Sequence, residues 1–356
     1  MLVVYSHFNH NKTMNKIYLL ISILTLITGN AQQRKTASLD DVLDKFEKRH
    51  QVMGSVAFSK KGVQSYARAF GFAEVESANK PNDSTKYRIG SISKTFTAAM
   101  IMQLVAEEKL VLNDNLALFF PTWPNAKKIT IEHLLRHESG IYNFGKSSDP
   151  KYQNLNPQSR QEVFEIFENA PIAFAPGKKT DYNNANFVVL SLLIEALDSS
   201  TFVESLSARI ITPLALKNTH AGGIINSAQN EAHCYFWKNG WVDDSDFNNE
   251  SLLGAGAIVS SPSDVNVFMN ALFTQQLLPE AQLQQMLTMK EGMGLGLNQS
   301  PFYNKTAFGH AGNLASFESF SAYFPEEKVS FTICLNGNRT DFNDVLIEVL
   351  RAYFGI

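Results

Sequence analysis

Strand patterns lie at both ends of this chain, with a long helical stretch between them. Near the beginning, "SVAFSKKGVQSYARAFGFAEV" predicts two strands joined by a turn at residues 60–62. Near the end, "FESFSAYF" (317–324) and "KVSFTICLNG" (328–337) predict a further hairpin across the turn "PEE". Because sequential hairpins pair antiparallel, the pattern predicts an α/β (α+β) fold built on an antiparallel sheet.

Helical patterns flank these hairpins and fill the middle of the chain. "LDDVLDKFEKRH" has apolar residues at helical spacing, namely Leu39, Val42, Leu43 and Phe46. "DFNDVLIEVLRAYF" closes the chain as another helix, and "NFVVLSLLIEAL" (186–197) is apolar almost all round, which is typical of a buried helix. We therefore expect helices to cover the faces of the sheet.

The change of pattern along the chain divides residues 32–356 into two lobes of one domain. We predict a sheet lobe from about 34–110 plus 251–356, with a mainly helical lobe inserted at about 111–250. A cleft between two such lobes is where a small-molecule site is expected.

Residues 14–31, "MNKIYLLISILTLITGNA", have the pattern of a secretory signal peptide. Lys16 precedes an eleven-residue apolar run, and the small residues Gly29 and Ala31 fit a cleavage site. The run is too short to span a bilayer comfortably, so we expect residues 1–31 to be removed and no stable membrane span in the mature chain. Met14 would then be the true start, and the exported protein would be periplasmic or secreted. The alternative is a retained membrane anchor.

Charge and cysteine content restrict the partners of the chain. It carries 31 basic and 34 acidic residues, and loss of Lys12 and Lys16 with the leader would make it more acidic, which argues against nucleic acid. Cys234 and Cys334 are the only cysteines. Two cysteines cannot form a disulfide framework, so we expect buried free thiols inside strands, with a single bridge as the alternative. We expect a monomer.

Ser91 and Lys94 in "YRIGSISKTFTAAM" lie three residues apart at the start of a predicted helix over residues 91–108. They would share one face of that helix, while Ser93 points elsewhere. Free N–H groups and the positive dipole end favour a developing oxyanion and disfavour a charged lysine. A desolvated lysine can be neutral near pH 7 and accept the serine proton, and Gly90 would let a substrate approach the backbone.

Spacing alone does not identify this pair, because Ser148 and Lys151 repeat it in "SSDPK". The flanking segments carry more information. They are "YRIGSISKTFTAAM", "ITIEHLLRHESGI" (129–141), "PGKKTDYNNANFVVLSLLIEAL" (176–197), "GAGAIVSSPSDVNVFMNAL" (254–272) and "FGHAGNLASFESF" (308–320). In this order they resemble the serine β-lactamase and penicillin-binding protein superfamily, in the branch with class C β-lactamases, D-alanyl-D-alanine carboxypeptidases and related esterases.

The resemblance runs from about residue 37 to 356 and implies a three-layer sandwich of the β-lactamase/transpeptidase type. It implies that Ser91 is acylated, that Lys94 is its partner base and that Tyr182 moves a proton to the leaving group. Asn184 would hold the substrate carbonyl. No metal or organic cofactor is implied.

The resemblance also assigns the third motif of the superfamily, "GHAG", to the edge of the sheet beside the nucleophile. His310 and Gly312 match its Lys/His-x-Gly pattern and would hold the substrate. The backbone N–H of Asn313 would join that of Ser91 as an oxyanion hole.

Two of these motifs have second copies in the sequence. "YQN" at 152–154 repeats Tyr-x-Asn and reads as a polar loop, and "HAG" at 220–222 repeats the third motif and reads as a surface turn after a helix. His133 and His137 could face one metal, but Leu134 stands where a metalloprotease of the H-E-x-x-H type needs glutamate, which disfavours zinc hydrolysis. The resemblance implies a structural turn at the rim of the cleft there. No G-x-S-x-G elbow occurs.

The sequence departs from the superfamily pattern at two positions. His310 stands where class C β-lactamases carry lysine, and histidine is a cation only below its pKa. Ser316 in "NLASF" replaces a glycine, which predicts a stiffer and narrower cleft wall. The histidine favours a carboxypeptidase-like or esterase-like hydrolase acting on a small molecule or short peptide with a carbonyl group. The alternatives are a true β-lactamase, a slowly deacylating penicillin-binding sensor and a non-catalytic interaction protein.

Overall fold

The computed structural model describes residues 38–144 and 160–356. The predicted signal peptide at residues 1–31 lies outside these residues. So do the second Ser-x-x-Lys pair, Ser148 and Lys151, and the second Tyr-x-Asn copy at 152–154.

A large antiparallel sheet forms the centre of the molecule. The strands of the described chain are β1 (Val52–Lys60), β2 (Val63–Phe70), β3 (Tyr87–Arg88), β4 (His220–Ala221), β5 (Tyr235–Trp237), β6 (Trp241–Asp243), β7 (Ile258–Ser260), β8 (Asn298–Phe302), β9 (Lys305–Leu314), β10 (Phe317–Phe324) and β11 (Val329–Asn338). The order of the main strands in the large sheet is β2-β1-β11-β10-β9-β8. The predicted hairpins β1–β2 and β10–β11 are confirmed, and β1 pairs antiparallel with β11, so both ends of the chain share one sheet.

Helices cover both faces of this sheet. The helices of the described chain are α1 (Leu39–Lys48), α2 (Ser93–Ala106), α3 (Ile131–Leu135), α4 (Arg160–Glu168), α5 (Asn184–Asp198), α6 (Phe202–Leu206), α7 (Pro262–Phe273), α8 (Glu280–Leu287) and α9 (Phe342–Phe354). Helices α1 and α9 pack on one face of the sheet and share an apolar core with it. Helices α2, α5 and α7 belong to a second apolar core, on the opposite face of the sheet. The predicted fold class is therefore confirmed.

Helix α1 illustrates how local sequence builds one of these layers. Ser38 and Asp41 form a reciprocal capping box at its beginning, and the first turn is acidic, as the helix dipole favours. The residues predicted to face the core are the ones that are buried, namely Leu39, Val42, Leu43 and Phe46.

Two features inside the range predicted for the helical lobe belong to sheets. Tyr235 in β5 pairs with Gly337 in β11, and β6 pairs with β5, so the large sheet extends into residues 235–243. The predicted lobe boundary near residue 250 therefore does not coincide with the limit of sheet pairing. A small sheet with the order β3-β7-β4 places His220 in a strand, where we predicted a surface turn.

Both cysteines are free and buried, as predicted. Cys334 lies within β11, whereas Cys234 lies directly before β5. In the described residues no single helix is long and apolar enough to cross a membrane. Among these residues, only two consecutive helical segments, Asn184–Asp198 and Phe202–Ile211, reach that length and composition when they are combined, and they are bent by 80° relative to each other.

Candidate active site

Ser91 lies in a short 3-10 turn, Gly90–Ile92, immediately before α2. We predicted that the helix would begin at Ser91, but it begins at Ser93. The turn leaves the Ser91 side chain partly exposed, whereas Ser93 and Lys94 are buried. The nucleophile candidate thus lies at the surface of the cleft, and its partner lies beneath it.

Gly90 brings this turn against strand β9. Its φ is +51°, a left-handed conformation that disfavours side chains, and a Cβ on it would lie 2.8 Å from the backbone nitrogen of Asn313. A side chain on Gly312 would likewise collide with the Ile89 carbonyl. Gly90 therefore makes room for β9, and the expectation that it also lets a substrate approach the backbone stays a prediction. This packing sets the Asn313 backbone next to Ser91.

Gly90→Ala is expected to impair both folding and catalysis. The left-handed φ costs an alanine about 1–2 kcal/mol, and the clash would push Asn313 away, with an expected loss of about 100-fold in kcat. Gly355→Ala is the matched control, because Gly355 has φ +68° and open space around its Cα. Urea unfolding and ester hydrolysis measure the two effects. If the two variants lost stability and activity to the same extent, the close contact between Gly90 and Asn313 would be contradicted.

Lys94 is fully buried and its amine lies within hydrogen-bond distance of three oxygen atoms. Nζ lies 2.8 Å from Ser91 Oγ, 2.8 Å from Asn184 Oδ1 and 2.6 Å from the carbonyl oxygen of Ala255. Burial lowers the pKa of Lys94 well below its usual value, because the ammonium form is desolvated. The neutral amine is therefore strongly favoured relative to an exposed lysine.

A neutral Lys94 satisfies every one of these contacts. Its two N–H groups donate to Asn184 Oδ1 and the Ala255 carbonyl, which leaves the nitrogen lone pair for the Ser91 hydroxyl proton. Ser91 Oγ in turn accepts from the Tyr182 hydroxyl at 2.8 Å. The arrangement directs the Ser91 proton toward Lys94.

Tyr182 lies in the loop before α5 and adds its hydroxyl to the cluster of Ser91, Lys94 and Asn184. The Asn143 side-chain amide donates to the Tyr182 carbonyl at 2.9 Å, and Asn183 caps α5 by accepting from the Ala185 N–H. Burial raises the pKa of Tyr182 above its usual value, so the side chain stays an uncharged O–H donor. Asn184 is the first residue of α5, which explains how its side chain reaches Lys94.

The His137 ring packs against the Tyr182 ring, a contact that the sequence did not indicate. The two rings are 4.5 Å apart, and His137 Nδ1 accepts from the Asn183 N–H at 3.1 Å. Burial lowers the pKa of His137 well below its usual value. His133 instead accepts from the Thr130 N–H in the capping box of α3. The two histidines therefore have separate structural partners, as the predicted turn requires.

The Ala255 carbonyl was also not assigned from the sequence. It belongs to the segment Glu250–Ala255, in which Leu253 has a left-handed φ of 44°. Thr97 donates to the Gly254 carbonyl at 2.9 Å, and Ser191 accepts from the Gly254 N–H at 2.9 Å. These bonds to α2 and α5 hold the carbonyl over Lys94. The sequence pointed to this carbonyl only through "GAGA" (254–257), which begins one of the segments that resemble the superfamily.

His310 faces the same cleft from β9. It is 7% exposed, and its ring centre lies 6.1 Å from that of Tyr182. Burial, and to a lesser extent the nearby Lys94, lower the pKa of His310 to about 4. His310 is therefore uncharged at neutral pH and provides no fixed cation in the cleft.

His310 makes the stability of the fold depend on pH. Between its unfolded pKa of about 6.5 and its folded pKa of about 4, the unfolded chain binds a proton that the folded chain does not. The free energy of unfolding therefore falls as pH falls through this range, by about 2 kcal/mol from this residue at pH 5. Urea unfolding at pH 7.5 and 5 should show a smaller decrease in His310→Gln. An equal decrease would contradict the assignment.

His220, in the second copy of the third motif, lies in a different environment. Its Nε2 is 2.9 Å from Glu231, which also pairs with the buried Arg88 at 3.1 Å. No contact among the described residues joins His220 to Ser91.

A group with metal-ligand chemistry lies outside the Ser91 cluster. Glu76, His233 and Asp243 offer ligand atoms within 4.8 Å of one another. These side chains already interact, since His233 Nδ1 lies 3.0 Å from Asp243. The groups in direct contact with Ser91 Oγ and Lys94 Nζ are an amine, two hydroxyls, an amide and a backbone carbonyl, which suit proton transfer.

Comparison with known proteins agrees with this geometry. The Beta-lactamase family model matches residues 39–353. The chain is 29% identical over 177 residues to a teichoic acid D-alanine hydrolase of Staphylococcus aureus, in a match that covers 50% of this chain and 43% of that protein. The chain therefore spans less than half the length of these curated relatives.

Solved structures share the fold. The D-amino acid amidase from Ochrobactrum anthropi SV3 superposes with a TM-score of 0.79 at 24% identity, over 89% of this chain and 97% of that one. The D-stereospecific amidohydrolase from Streptomyces sp. gives a TM-score of 0.72 at 25% identity, over 88% and 97% of the two chains. Since the family match spans nearly the whole described chain, the protein belongs to the beta-lactamase family.

Proposed function

We propose that this protein cleaves esters or amides of D-amino acids through an acyl-enzyme on Ser91. The observation that carries the proposal is the buried Lys94 amine, which lies 2.8 Å from Ser91 Oγ with its other two contacts on acceptors. A buried neutral amine in this position is a base for the serine hydroxyl.

In the acylation step, Lys94 takes the proton as Ser91 Oγ attacks the substrate carbonyl. The resulting oxyanion lies between the backbone N–H groups of Ser91 and Asn313, which the Gly90 turn brings together. Tyr182, whose hydroxyl lies 2.8 Å from Ser91 Oγ, donates its proton to the leaving group. The proton that Lys94 took from Ser91 then passes to the Tyr182 oxygen, so both residues return to their starting protonation states. A water then releases the acyl group by the reverse sequence of proton transfers.

Asn184 has two roles in this scheme. Its Oδ1 accepts from Lys94 at 2.8 Å and so orients the amine, a contact that the sequence did not indicate. Its Nδ2 remains available to donate to a carbonyl of the substrate. His310 and Gly312 line the opposite side, where Gly312 keeps β9 close to Ile89.

The D-amino acid specificity is supported by the relatives and by His310. The curated relative is named for D-alanine hydrolysis, and the solved structures are a D-amino acid amidase and a D-stereospecific amidohydrolase. Penicillins and D-alanyl-D-alanine peptides carry a carboxylate beside the scissile bond, and an uncharged His310 offers it no cation. D-Amino acid amides and esters lack that carboxylate.

Export and a monomeric state are part of the proposal. The export signal is the predicted leader at residues 1–31. N-terminal sequencing of secreted protein should begin near Gln32, and gel filtration should give the mass of a single chain.

A substrate panel tests the proposed chemistry. We expect D-alanine p-nitroanilide and D-phenylalanine amide to be cleaved at least about tenfold faster, as kcat/KM, than their L-enantiomers or nitrocefin. Ser91→Ala should cleave none of them. Preference for nitrocefin, or equal cleavage of both enantiomers, would contradict the proposal.

A further inference from the structure

Tyr182 lies on a stretch of backbone that belongs to no helix or strand. Residues 181–183 form the loop directly before α5. The Tyr182 hydroxyl nevertheless has to stay close to Ser91 Oγ and, in the proposed reaction, to the leaving group. Because a displacement of about 1 Å can cost a catalytic group about 100-fold in rate, this loop needs a fixed support.

His137 holds the chain on both sides of Tyr182. Its own carbonyl oxygen accepts from the Asp181 N–H at 2.9 Å. Its ring nitrogen Nδ1 accepts from the Asn183 N–H at 3.1 Å, and the ring packs on that of Tyr182 with the centres 4.5 Å apart. One residue therefore contacts both the backbone that flanks Tyr182 and the ring that carries the hydroxyl.

The backbone of His137 has an unusual conformation that makes these contacts possible. Helix α3 ends in a Schellman motif, in which the Glu138 N–H donates to the His133 carbonyl at 2.7 Å. The His137 N–H donates to the Leu134 carbonyl at 3.2 Å, and His137 has a left-handed φ of 58°. Glycine or asparagine is usual at this position, because larger side chains are strained there. A buried histidine in such a position indicates a role for its ring.

The contacts of Nδ1 favour an uncharged ring whose proton is on Nε2. Nδ1 lies 3.1 Å from the Asn183 backbone nitrogen and 3.3 Å from the Asn186 side-chain amide, and both groups are donors. A proton on Nδ1 could reach the Asn183 carbonyl at 3.2 Å, but it would also face these two donors. Burial lowers the pKa of His137 well below its usual value, so Nδ1 remains an acceptor at neutral pH.

His137 makes these contacts at a distance from the nucleophile and its base. Within the described residues its side chain makes no hydrogen bond to Ser91 or Lys94. Asn143 also supports the loop, but its side chain makes a single bond to the Tyr182 carbonyl and none to the tyrosine hydroxyl. The orientation of the Tyr182 ring therefore depends mainly on His137.

We propose that His137 is a positioning residue that holds the Tyr182 hydroxyl where it can protonate the leaving group. The inference rests on the proposed function, because it takes Tyr182 as the donor to the leaving group. Without the Nδ1 acceptor the Asn183 N–H loses its partner, and Tyr182 can move away from Ser91 Oγ. Substrates whose leaving group needs a proton should then be cleaved more slowly, while those whose leaving group needs none should be little affected.

Three substitutions of His137 test the inference. His137→Asn places an oxygen where Nδ1 lies and tolerates the left-handed φ. His137→Leu has the same branched shape as asparagine without an acceptor, and His137→Gly tolerates the φ without an acceptor. Circular dichroism establishes that each variant is folded. Because His137→Leu and His137→Gly differ in backbone strain, a loss that they share comes from the missing side-chain groups.

The measurement is kcat/KM for D-alanine p-nitroanilide, an amide, and for a D-alanine p-nitrophenyl ester, whose leaving group needs no proton. In His137→Leu and His137→Gly we expect amide cleavage to fall by about 30-fold and ester cleavage by about threefold or less. His137→Asn should lose less than about fivefold on the amide, because it restores the acceptor. A purely structural role would lower both rates together.

His133→Leu is the matched control. His133 Nδ1 also accepts from a backbone N–H, that of Thr130 at 3.2 Å, but within the described residues it makes no hydrogen bond or ring contact with Tyr182. The variant should lower the stability of the fold and keep the wild-type ratio of amide to ester cleavage. Adding His137→Leu to Tyr182→Phe should cost the amide no more than about threefold further, because the hydroxyl to be positioned is already absent.

The outcomes separate this inference from the proposed function. Equal losses of amide and ester cleavage in folded His137→Leu or His137→Gly, or a His137→Asn variant as impaired as these two, would overturn the positioning role and leave the Ser91 hydrolase intact. A further loss of about 30-fold in the Tyr182→Phe background would overturn it as well. Failure of the wild type to cleave either substrate would overturn the proposed function, and this inference with it.

Discussion

Lys94→Met is expected to lower kcat/KM for ester and amide substrates by about a thousandfold, because it removes the base that accepts the Ser91 proton. Methionine is unbranched and close to lysine in volume, so the buried space stays filled. Replacing a desolvated amine with an apolar side chain also removes the cost of burying it. The variant should therefore fold.

Steady-state kinetics with circular dichroism measure this effect. Lys127→Met is the matched control, because Lys127 is exposed and lies far along the chain from the cluster, and it should keep full activity. Raising the pH should not restore Lys94→Met. Activity of a folded Lys94→Met within about tenfold of wild type would mean that another group activates Ser91.

Tyr182→Phe is expected to affect amides far more than activated esters. The variant keeps the ring that packs on His137 and loses only the hydroxyl that lies 2.8 Å from Ser91 Oγ. An amine leaving group needs a proton, so amide cleavage should fall by about 100- to 1,000-fold. p-Nitrophenolate leaves without a proton, so p-nitrophenyl ester cleavage should fall by about tenfold or less.

The test compares the loss of amide cleavage in Tyr182→Phe with its loss of ester cleavage. Both losses come from kcat/KM of the wild type and of Tyr182→Phe with D-alanine p-nitroanilide and with a D-alanine p-nitrophenyl ester. Equal losses for the two leaving groups would indicate that Tyr182 acts on Ser91 rather than on the leaving group. Asn143→Ala, which removes only the bond to the Tyr182 carbonyl, should lower both rates slightly and equally.

The elements that could be predicted from the sequence are those whose signals are local. The capping box and apolar spacing of α1, the apolar length of α5 and the turn between β1 and β2 each lie within a few residues. Hydrophobic periodicity therefore suffices to assign them.

The features that the sequence did not reveal depend on pairing between distant residues. The β5 strand joins β11 through Tyr235 and Gly337, about 100 positions apart, and nothing in three residues indicates that partner. His220 was placed in a turn because its strand is only two residues long. Short strands are specified by their neighbours rather than by their own pattern.

In the active site, too, residues in local motifs could be predicted from the sequence, whereas contacts between distant residues could not. The motif residues Ser91, Lys94, Tyr182 and His310 were named from the sequence, and the structure brings their side chains into one cluster. The acceptor for the third Lys94 contact is a backbone carbonyl, Ala255, which has no side-chain signature. Gly90 was singled out from the sequence, but its contact with the Asn313 backbone could not be predicted, because the two residues lie far apart along the chain.

Covalent labelling of Ser91 tests the central claim most directly. Intact mass measurement after treatment with a fluorophosphonate, followed by peptide mapping, should show one adduct per chain, located on Ser91. Ser91→Ala should show no adduct and no hydrolysis, and Lys94→Met should label about a thousandfold more slowly. A single adduct on another residue, or unchanged hydrolysis by Ser91→Ala, would contradict the account.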